Sequence, residues 1–287
     1  MDILFVAHLL NGLLMVAMPV ALAIYLAHRW KIGGRIWWIG AATFVLSQIG
    51  HIPFNLGASK LLNQTGMVAW NPTAQLLFNA VFLGLSAGIF EEGMRYLVLR
   101  FWLKDARSWR KGVLFGAGHG GAEAIILGAL TFYSFLQLAT LRTADLSRLI
   151  PAAQLGQVQQ QVQVYWSTTW YSSMLGALER LFTIPCQIAM AVMVMQVFIR
   201  KKIGWLFAAI GFHTLLDGLA VYGQRYISPI SLEGVVGFFA IISVVIIILL
   251  RRPEPPVANL PGGQVPFTPQ VVELEETSEN LEKTRYQ

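Results

Sequence analysis

Charged residues are scarce in this chain, and cysteine is almost absent. Asp, Glu, Lys and Arg make up 13% of the 287 residues and hydrophobic residues 55%, whereas a soluble domain has about 25% charged residues. The single cysteine, Cys186, excludes an internal disulfide framework and a cysteine-based zinc site. The sequence shows no internal repeat, no phosphate-binding glycine loop and no nucleic-acid motif. We therefore expect an integral membrane protein without a nucleic-acid partner, despite the net charge of +6.

Long apolar runs dominate what is present. A helix of roughly 20 apolar residues can span a bilayer, and seven runs reach that length: 4–27, 36–56, 73–103, 113–136, 171–199, 203–222 and 232–250. The first run lacks a basic flank and exceeds the about 7–15 apolar residues of a cleaved signal, so we expect it to be retained. Residues 1–252 are thus predicted to form an all-α, polytopic transmembrane helix bundle of about seven spans.

Basic residues alternate between the connections, as they do where cytoplasmic loops are enriched in Lys and Arg. One set of connections holds thirteen: Arg29, Lys31, Arg35, Arg100, Lys104, Arg107, Arg110, Lys111, Arg200, Lys201, Lys202, Arg251 and Arg252. The other holds four: Lys60, Arg142, Arg148 and Arg225. This asymmetry predicts an N-terminus outside and a C-terminus in the cytoplasm, in a bacterial plasma membrane.

Two segments are predicted to lie outside the membrane. Residues 137–170, rich in glutamine, form an external loop with a surface helix, which is either a plain connector or a lid over the substrate. Residues 253–287 are interrupted by Pro and Gly and then become acidic, which is typical of a disordered tail. The predicted topology places this tail in the cytoplasm.

Ionisable residues inside the apolar runs cost roughly 2.5–3.5 kcal/mol each on insertion scales and are functional candidates. They are Glu91, Glu92 and Arg95 in the third run, His119 and Glu123 in the fourth, Glu179 and Arg180 in the fifth, and His213 and Asp217 in the sixth. Residues four apart share a helix face. The pairs His119–Glu123, Glu91–Arg95 and His213–Asp217 therefore form three polar faces that we expect to meet in one bundle.

Depth in the membrane supports a single site. At a rise of about 1.5 Å per residue, His119 lies about 10 Å from the cytoplasmic end of its run, and Glu91 and His213 about 15 Å from theirs. Glu123 and Asp217 follow at about 15–20 Å. The pair Glu179 and Arg180, at about 30 Å, belongs nearer the outer side. We interpret that pair as a structural ion pair or a helix-anchoring contact.

A carboxylate with two histidines suits the activation of water for attack on a carbonyl group. Glu91 and Glu92 diverge by about 100° on a helix, so we expect one to be catalytic and the other to support it, with Arg95 neutralising a neighbouring carboxylate. The same set offers zinc ligands, His119 and His213 among them, although no HExxH motif is present. His8, His28 and His51 receive no functional role.

Glycines surround His119, at four of the positions in 116–121. Residues without side chains let another backbone approach closely. Two interpretations remain open from the sequence: tight packing against a neighbouring helix, or close approach of a substrate backbone.

Three ordered motifs resemble a known family. Glu91-Glu92-x-x-Arg95, Phe115-x-x-x-His119 and His213-x-x-x-Asp217 resemble the pattern of CAAX prenyl proteases and their bacterial Abi (CPBP) relatives. With Glu123 and the pair Glu179-Arg180, the sequence is more similar still to the YhfC family of intramembrane proteases, which also resembles PrsW. The resemblance covers the third to the sixth run.

The resemblance implies roles for these residues. Glu91 is the general base that activates water together with His213, His119 and Asp217 lie around the oxyanion, and Glu92 and Arg95 support them. The family is described both as metalloproteases and as metal-free glutamic proteases, so the implied cofactor is either zinc or none. Glu123 is a further supporting residue.

The sequence departs from the family patterns at three points. Arg95 follows the glutamate pair by three positions, where the CAAX pattern has four, and Asp217 replaces the usual Asn. An ionised Asp217 repels an oxyanion, so it is either protonated or has an orienting role. The YhfC pattern has a histidine near position 187, where this chain has Gln187, which weakens the zinc hypothesis or marks an inactive member.

The sequence therefore predicts an intramembrane endopeptidase that acts on a peptide or protein substrate in or at the membrane, surrounded by membrane lipid. Two other functions remain open. Buried Glu and His chains also serve as proton relays in transporters, and Gln187 allows a catalytically inactive membrane scaffold.

Overall fold

The computed structural model describes residues 2–64, 71–104 and 107–251, which contain helices and no strand. The helices are α1 (Ile3–Trp30), α2 (Arg35–Gln64), α3 (Pro72–Phe101), α4 (Trp109–Thr143), α5 (Leu146–Leu149), α6 (Ala152–Trp166), α7 (Leu175–Arg200), α8 (Gly204–Gly223) and α9 (Pro229–Leu249). The predicted all-α helix bundle is confirmed. The predicted tail, 253–287, lies outside the described residues.

Each of the seven predicted runs forms a helix, but the helices are not equally apolar. Within the described residues, α1, α3, α4, α8, α9 and α7 with its preceding turn are long and apolar enough to cross a membrane. The exception is α2, which has 30 residues but carries polar side chains from its middle onward. Gln48, His51 and Asn55 recur there at spacings of three and four, so they share one helix face.

The bundle is built around α7. In the most apolar stretch of α7, 72% of the residues are buried, against 28% or less in the corresponding stretches of the other five apolar helices. It packs against α1, α3, α4, α8 and α9, while α3 pairs with α8 and α4 with α1 and α2. The central position of α7 brings its polar residues next to those of α3 and α4.

The glycines of α4 serve helix packing. A Cβ atom on Gly118 would lie 2.0 Å from the carbonyl oxygen of Trp37 in α2, and one on Gly116 would lie 2.7 Å from Cα of Ile188 in α7. Any side chain at these positions would force the helices apart. Of the two interpretations left open by the sequence, the structure supports close helix packing at these two glycines.

Residues 137–170 contain the last turns of α4 and the helices α5 and α6. Trp166 donates from Nε1 to the carbonyl oxygen of Leu138 at 3.1 Å, and the ring of Tyr165 stacks on His8 of α1 with 3.9 Å between centroids. Arg142 pairs with Asp2 at 2.7 Å, and this bond lowers the pKa of Asp2. The segment is therefore anchored to α1 and α4 by its two ends.

Candidate active site

The two adjacent glutamates of α3 each bind a different histidine. Glu91 Oε2 lies 3.0 Å from Nε2 of His119 in α4, and Glu91 Oε1 accepts a hydrogen bond from Nε2 of Gln48 in α2 at 3.0 Å. Glu92 Oε1 lies 2.9 Å from Nδ1 of His213 in α8. Their divergence around the helix therefore directs one carboxylate toward α2 and α4 and the other toward α8.

His213 connects the two halves of this cluster. Its Nδ1 faces Glu92, while its Nε2 lies 4.0 Å from Glu91 Oε2 and 3.3 Å from Asp217 Oδ2. Both histidines are buried, but the Asp217 side chain is 39% exposed. Four of the five residues expected at a similar depth thus lie together: Glu91, His119, His213 and Asp217. Asp217 is their exposed edge. Asp217 contacts the imidazole, which fits an orienting role.

Arg95 lies between the carboxylates and is fully buried. Its Nη1 donates to Glu92 Oε1, and its Nη2 donates to the side-chain oxygen of Gln187 in α7. The same Nη2 is 3.7 Å from Glu91 Oε2. A planar guanidinium fork can bind several acceptors in fixed directions. Arg95 therefore compensates the buried negative charge and fixes the positions of both glutamates.

Gln187 extends the network toward the amino end of α7. Its Nε2 donates to Glu123 Oε2 at 2.8 Å, and Glu123 Oε1 accepts from Nη1 of Arg180 at 2.6 Å. Arg180 also donates to Glu179. The expected ion pair between Glu179 and Arg180 is present. The pair is also linked to Arg95 through Glu123 and Gln187, a connection that the sequence-based depth argument did not predict.

Polar residues of α2 complete one side of the site, and sequence reasoning missed them. In addition to the bond between Gln48 and Glu91, His51 Nδ1 lies 3.3 Å from Gln48 Oε1 and its Nε2 lies 3.1 Å from Ser86 Oγ of α3. Asn55 Nδ2 lies 2.8 Å from the same ring nitrogen. His51, which received no role, is therefore part of the network. The signal was its shared helix face with Gln48 and Asn55.

The potential metal donors of the described residues are not arranged as a zinc site. Within the described residues, no three His, Cys, Asp or Glu side chains are arranged to hold a metal ion. Gln187 stands where the resemblance implies a histidine, and its amide oxygen binds Arg95. A metal-bound histidine usually donates its second ring nitrogen to a partner, but His119 Nδ1 is buried without one. As arranged, the residues do not fit a zinc ion held by three ligands.

Comparisons with known proteins show which family this chain belongs to. A family model described as YhfC intramembrane metalloprotease matches residues 14–240. An uncharacterized membrane protein YhfC of Bacillus subtilis (strain 168) is 29% identical over 248 residues, which cover 85% of this chain and 95% of that protein. No solved structure matches. Since the family model spans all the helices that carry the polar network, this chain is a membrane protein of the YhfC intramembrane metalloprotease family.

Proposed function

We propose that this chain is an intramembrane endopeptidase that hydrolyses peptide bonds of membrane-associated or transmembrane polypeptides. The observation that carries the proposal is the buried cluster in which Glu91 and Glu92 each bind a histidine while Arg95 compensates their charge. Ionisable residues buried among membrane-spanning helices are costly, so a cluster of them is a candidate for a function. The charge asymmetry of the connections supports a bacterial plasma membrane, with the N-terminus outside and the C-terminus in the cytoplasm.

Glu91 is suited to act as the general base. Its Oε2 is close to the ring nitrogens of both His119 and His213. A water molecule in this space therefore has a proton acceptor in Glu91 and an orienting group in His213. The water oxygen attacks the peptide carbonyl carbon while its proton passes to Glu91. As the C–N bond breaks, the same proton is transferred from Glu91 to the leaving amine.

The histidines stabilise the charge that develops during this reaction. A ring N–H of His119 donates toward the carbonyl oxygen as it becomes negative, and such donors act strongly in a site without bulk water. His213 borders the same space and is held at Nδ1 by Glu92 and at Nε2 by Asp217. Asp217 therefore orients His213.

Cleavage of a model substrate tests the proposal. The purified chain in liposomes is mixed with a synthetic transmembrane peptide, and products are identified by mass spectrometry for the native chain, Glu91→Gln and His213→Ala. We expect each variant to lose at least about 100-fold in rate, the scale of a lost general base. Asp145→Asn is the matched control, because Asp145 is an exposed carboxylate in the loop. Equal cleavage by Glu91→Gln and the native chain refutes the proposal.

One observation favours a second function, a proton-coupled transporter. The connected polar groups from His213 through Arg95 and Gln187 to Arg180 resemble the proton relays of transporters. Transporters commonly bind substrate at paired interrupted helices, whereas the spans in the described part of this chain are continuous helices. Substrate uptake into proteoliposomes driven by a pH gradient, without cleavage, supports the transporter instead of the protease.

A further inference from the structure

Glu233 is a buried carboxylate that the catalytic cluster does not use. It lies on α9 one turn after Pro229, is 8% exposed, and its Oε2 has no hydrogen-bond partner. Among the described residues, no Lys, Arg or His side chain forms an ion pair with it. Removing a carboxylate from water without a counter-charge is costly. Within the part of the chain that the structure describes, Glu233 therefore has no counter-charge.

Glu233 faces a cleft of about 290 Å³ at the ends of α7, α8 and α9, where it is joined by Glu179 and Gln224. Arg180 is the cation bound nearby, and it already pairs with both Glu179 and Glu123. Its guanidinium is thus shared between two other carboxylates. The amino ends of α7 and α9 and the carboxyl end of α8 all lie at this cleft, so the helix ends contribute partial charges of both signs. The two carboxylates therefore supply its negative charge. The cleft is therefore suited to a cation.

The same carboxylate also lines an apolar groove of about 710 Å³ between α7 and α9. The groove is formed mainly by large apolar side chains, among them Phe182, Phe238 and Ile241, and by Gly234. A Cβ atom on Gly234 would meet nothing within 4 Å, so the surface is open to an approaching helix. A ligand here meets apolar side chains along the membrane and negative charge at one end.

This groove is separate from the candidate active site. Phe182 and Pro185 line it from α7, and at about 100° per residue they lie on the face of α7 roughly opposite to Gln187. A helix bound in the groove is therefore on the far side of α7 from Gln187 and from Arg95 and Glu123, which Gln187 binds. It is a partner rather than the segment that is cut.

We propose that the groove between α7 and α9 binds one transmembrane helix of a partner polypeptide, and that a Lys or Arg near the end of that helix pairs with Glu233. Charge complementarity supports this occupant: a basic side chain balances Glu233 and Glu179, while its apolar helix covers the groove. An aminophospholipid brings a phosphate together with its amine, which Glu179 repels. Because the groove lies away from the cluster, the proposal does not depend on proteolysis.

Binding of designed peptides to the native full-length chain tests the proposal. The chain in lipid nanodiscs carries an acceptor dye, and polyleucine transmembrane peptides carry a donor. One peptide has Lys where it meets Glu233, the second has Gln there, and the third has Lys at its opposite end. We expect the first to bind about tenfold more tightly than the other two, as for a pair in a medium of low polarity. Equal binding of the three peptides overturns the proposal.

Variants of the chain locate the effect. Glu233→Gln removes the preference for the Lys peptide, and Glu233→Lys reverses it toward a peptide with Glu at the same place. Asp145→Asn leaves the preference unchanged. Two other occupants give different results. If two labelled copies of the chain show energy transfer and Glu233→Gln abolishes it, the groove binds a second copy. If phosphatidylethanolamine alone competes with the Lys peptide, the groove binds lipid. Either result overturns the proposal. If a variant does not fold, the comparison of the Lys and Gln peptides on the native chain still tests the proposal.

Discussion

Gln187→Leu is the sharpest test of the buried network. Gln187 is 6% exposed and links two charged groups, as acceptor for Arg95 and as donor to Glu123. Leucine has a similar size but offers neither a donor nor an acceptor. The substitution therefore leaves the packing of α7 nearly intact while depriving the buried Arg95 and the partly buried Glu123 of one hydrogen bond each.

The magnitude follows from these two bonds. A hydrogen bond to a charged group contributes about 1.5–3 kcal/mol, so the pair contributes roughly 3–6 kcal/mol. Leucine recovers about 1 kcal/mol through its greater apolar burial, which leaves a loss of about 2–5 kcal/mol in the free energy of unfolding. Because Arg95 also positions Glu92, and Glu92 holds His213, we expect cleavage to fall by at least about tenfold.

The assay compares Gln187→Leu with Gln196→Leu in the same helix. Gln196 is also buried, at 1% exposure, but its Nε2 donates to the backbone oxygen of Val192 and its Oε1 accepts from Arg200. Unfolding in detergent is followed by circular dichroism, and cleavage by mass spectrometry. Loss of cleavage in Gln187→Leu with retention in Gln196→Leu supports the network. Equal cleavage by the two variants contradicts it.

Three further predictions concern other parts of the structure. Gln48→Leu removes the donor to Glu91 Oε1, so the cleavage rate in the liposome assay should fall about tenfold. Asp145→Asn is again the control. A native cleavage rate in Gln48→Leu contradicts a role for α2 in the site. Gly118→Leu places a side chain against the carbonyl of Trp37 and should lower the free energy of unfolding by about 1–3 kcal/mol or more; unchanged thermal unfolding contradicts the close packing. Removal of metal ions with a chelator should leave cleavage unchanged, because the donors in the described residues do not form a three-ligand site; activity that is lost and returns with added zinc contradicts this.

The sequence could predict that Glu91, His119 and His213 come together, but it could not predict which helices are neighbours. Positive charge fixes the expected direction of each run, and the helical rise then places Glu91, His119 and His213 at one level. Which helices are neighbours depends on close approach, for example at Gly84, where a Cβ atom would lie 2.6 Å from the carbonyl oxygen of Thr214 in α8. A single sequence contains no direct record of such pairings.

The polar residues of α2 were missed for a different reason. Amides carry no formal charge, so Gln48 and Asn55 do not stand out in a search for buried ionisable groups. Their presence nevertheless makes α2 the exception among the seven long helices in the described part of the chain. A search for shared faces of uncharged polar residues, in addition to charges, finds them.

The replacement of histidine by Gln187 also takes on a different meaning in the structure. A neutral histidine has one donor and one acceptor nitrogen, and a glutamine amide has an NH₂ donor and an oxygen acceptor. The two bonds that Gln187 makes, from Arg95 and to Glu123, are of the two kinds that a neutral histidine makes. The amide therefore preserves the hydrogen-bonded connection between α3, α4 and α7, while it removes a strong metal donor. This combination supports the proposed glutamic-type site over a zinc site, since Gln187 keeps Arg95 in place beside Glu92 and His213 without offering a zinc ligand.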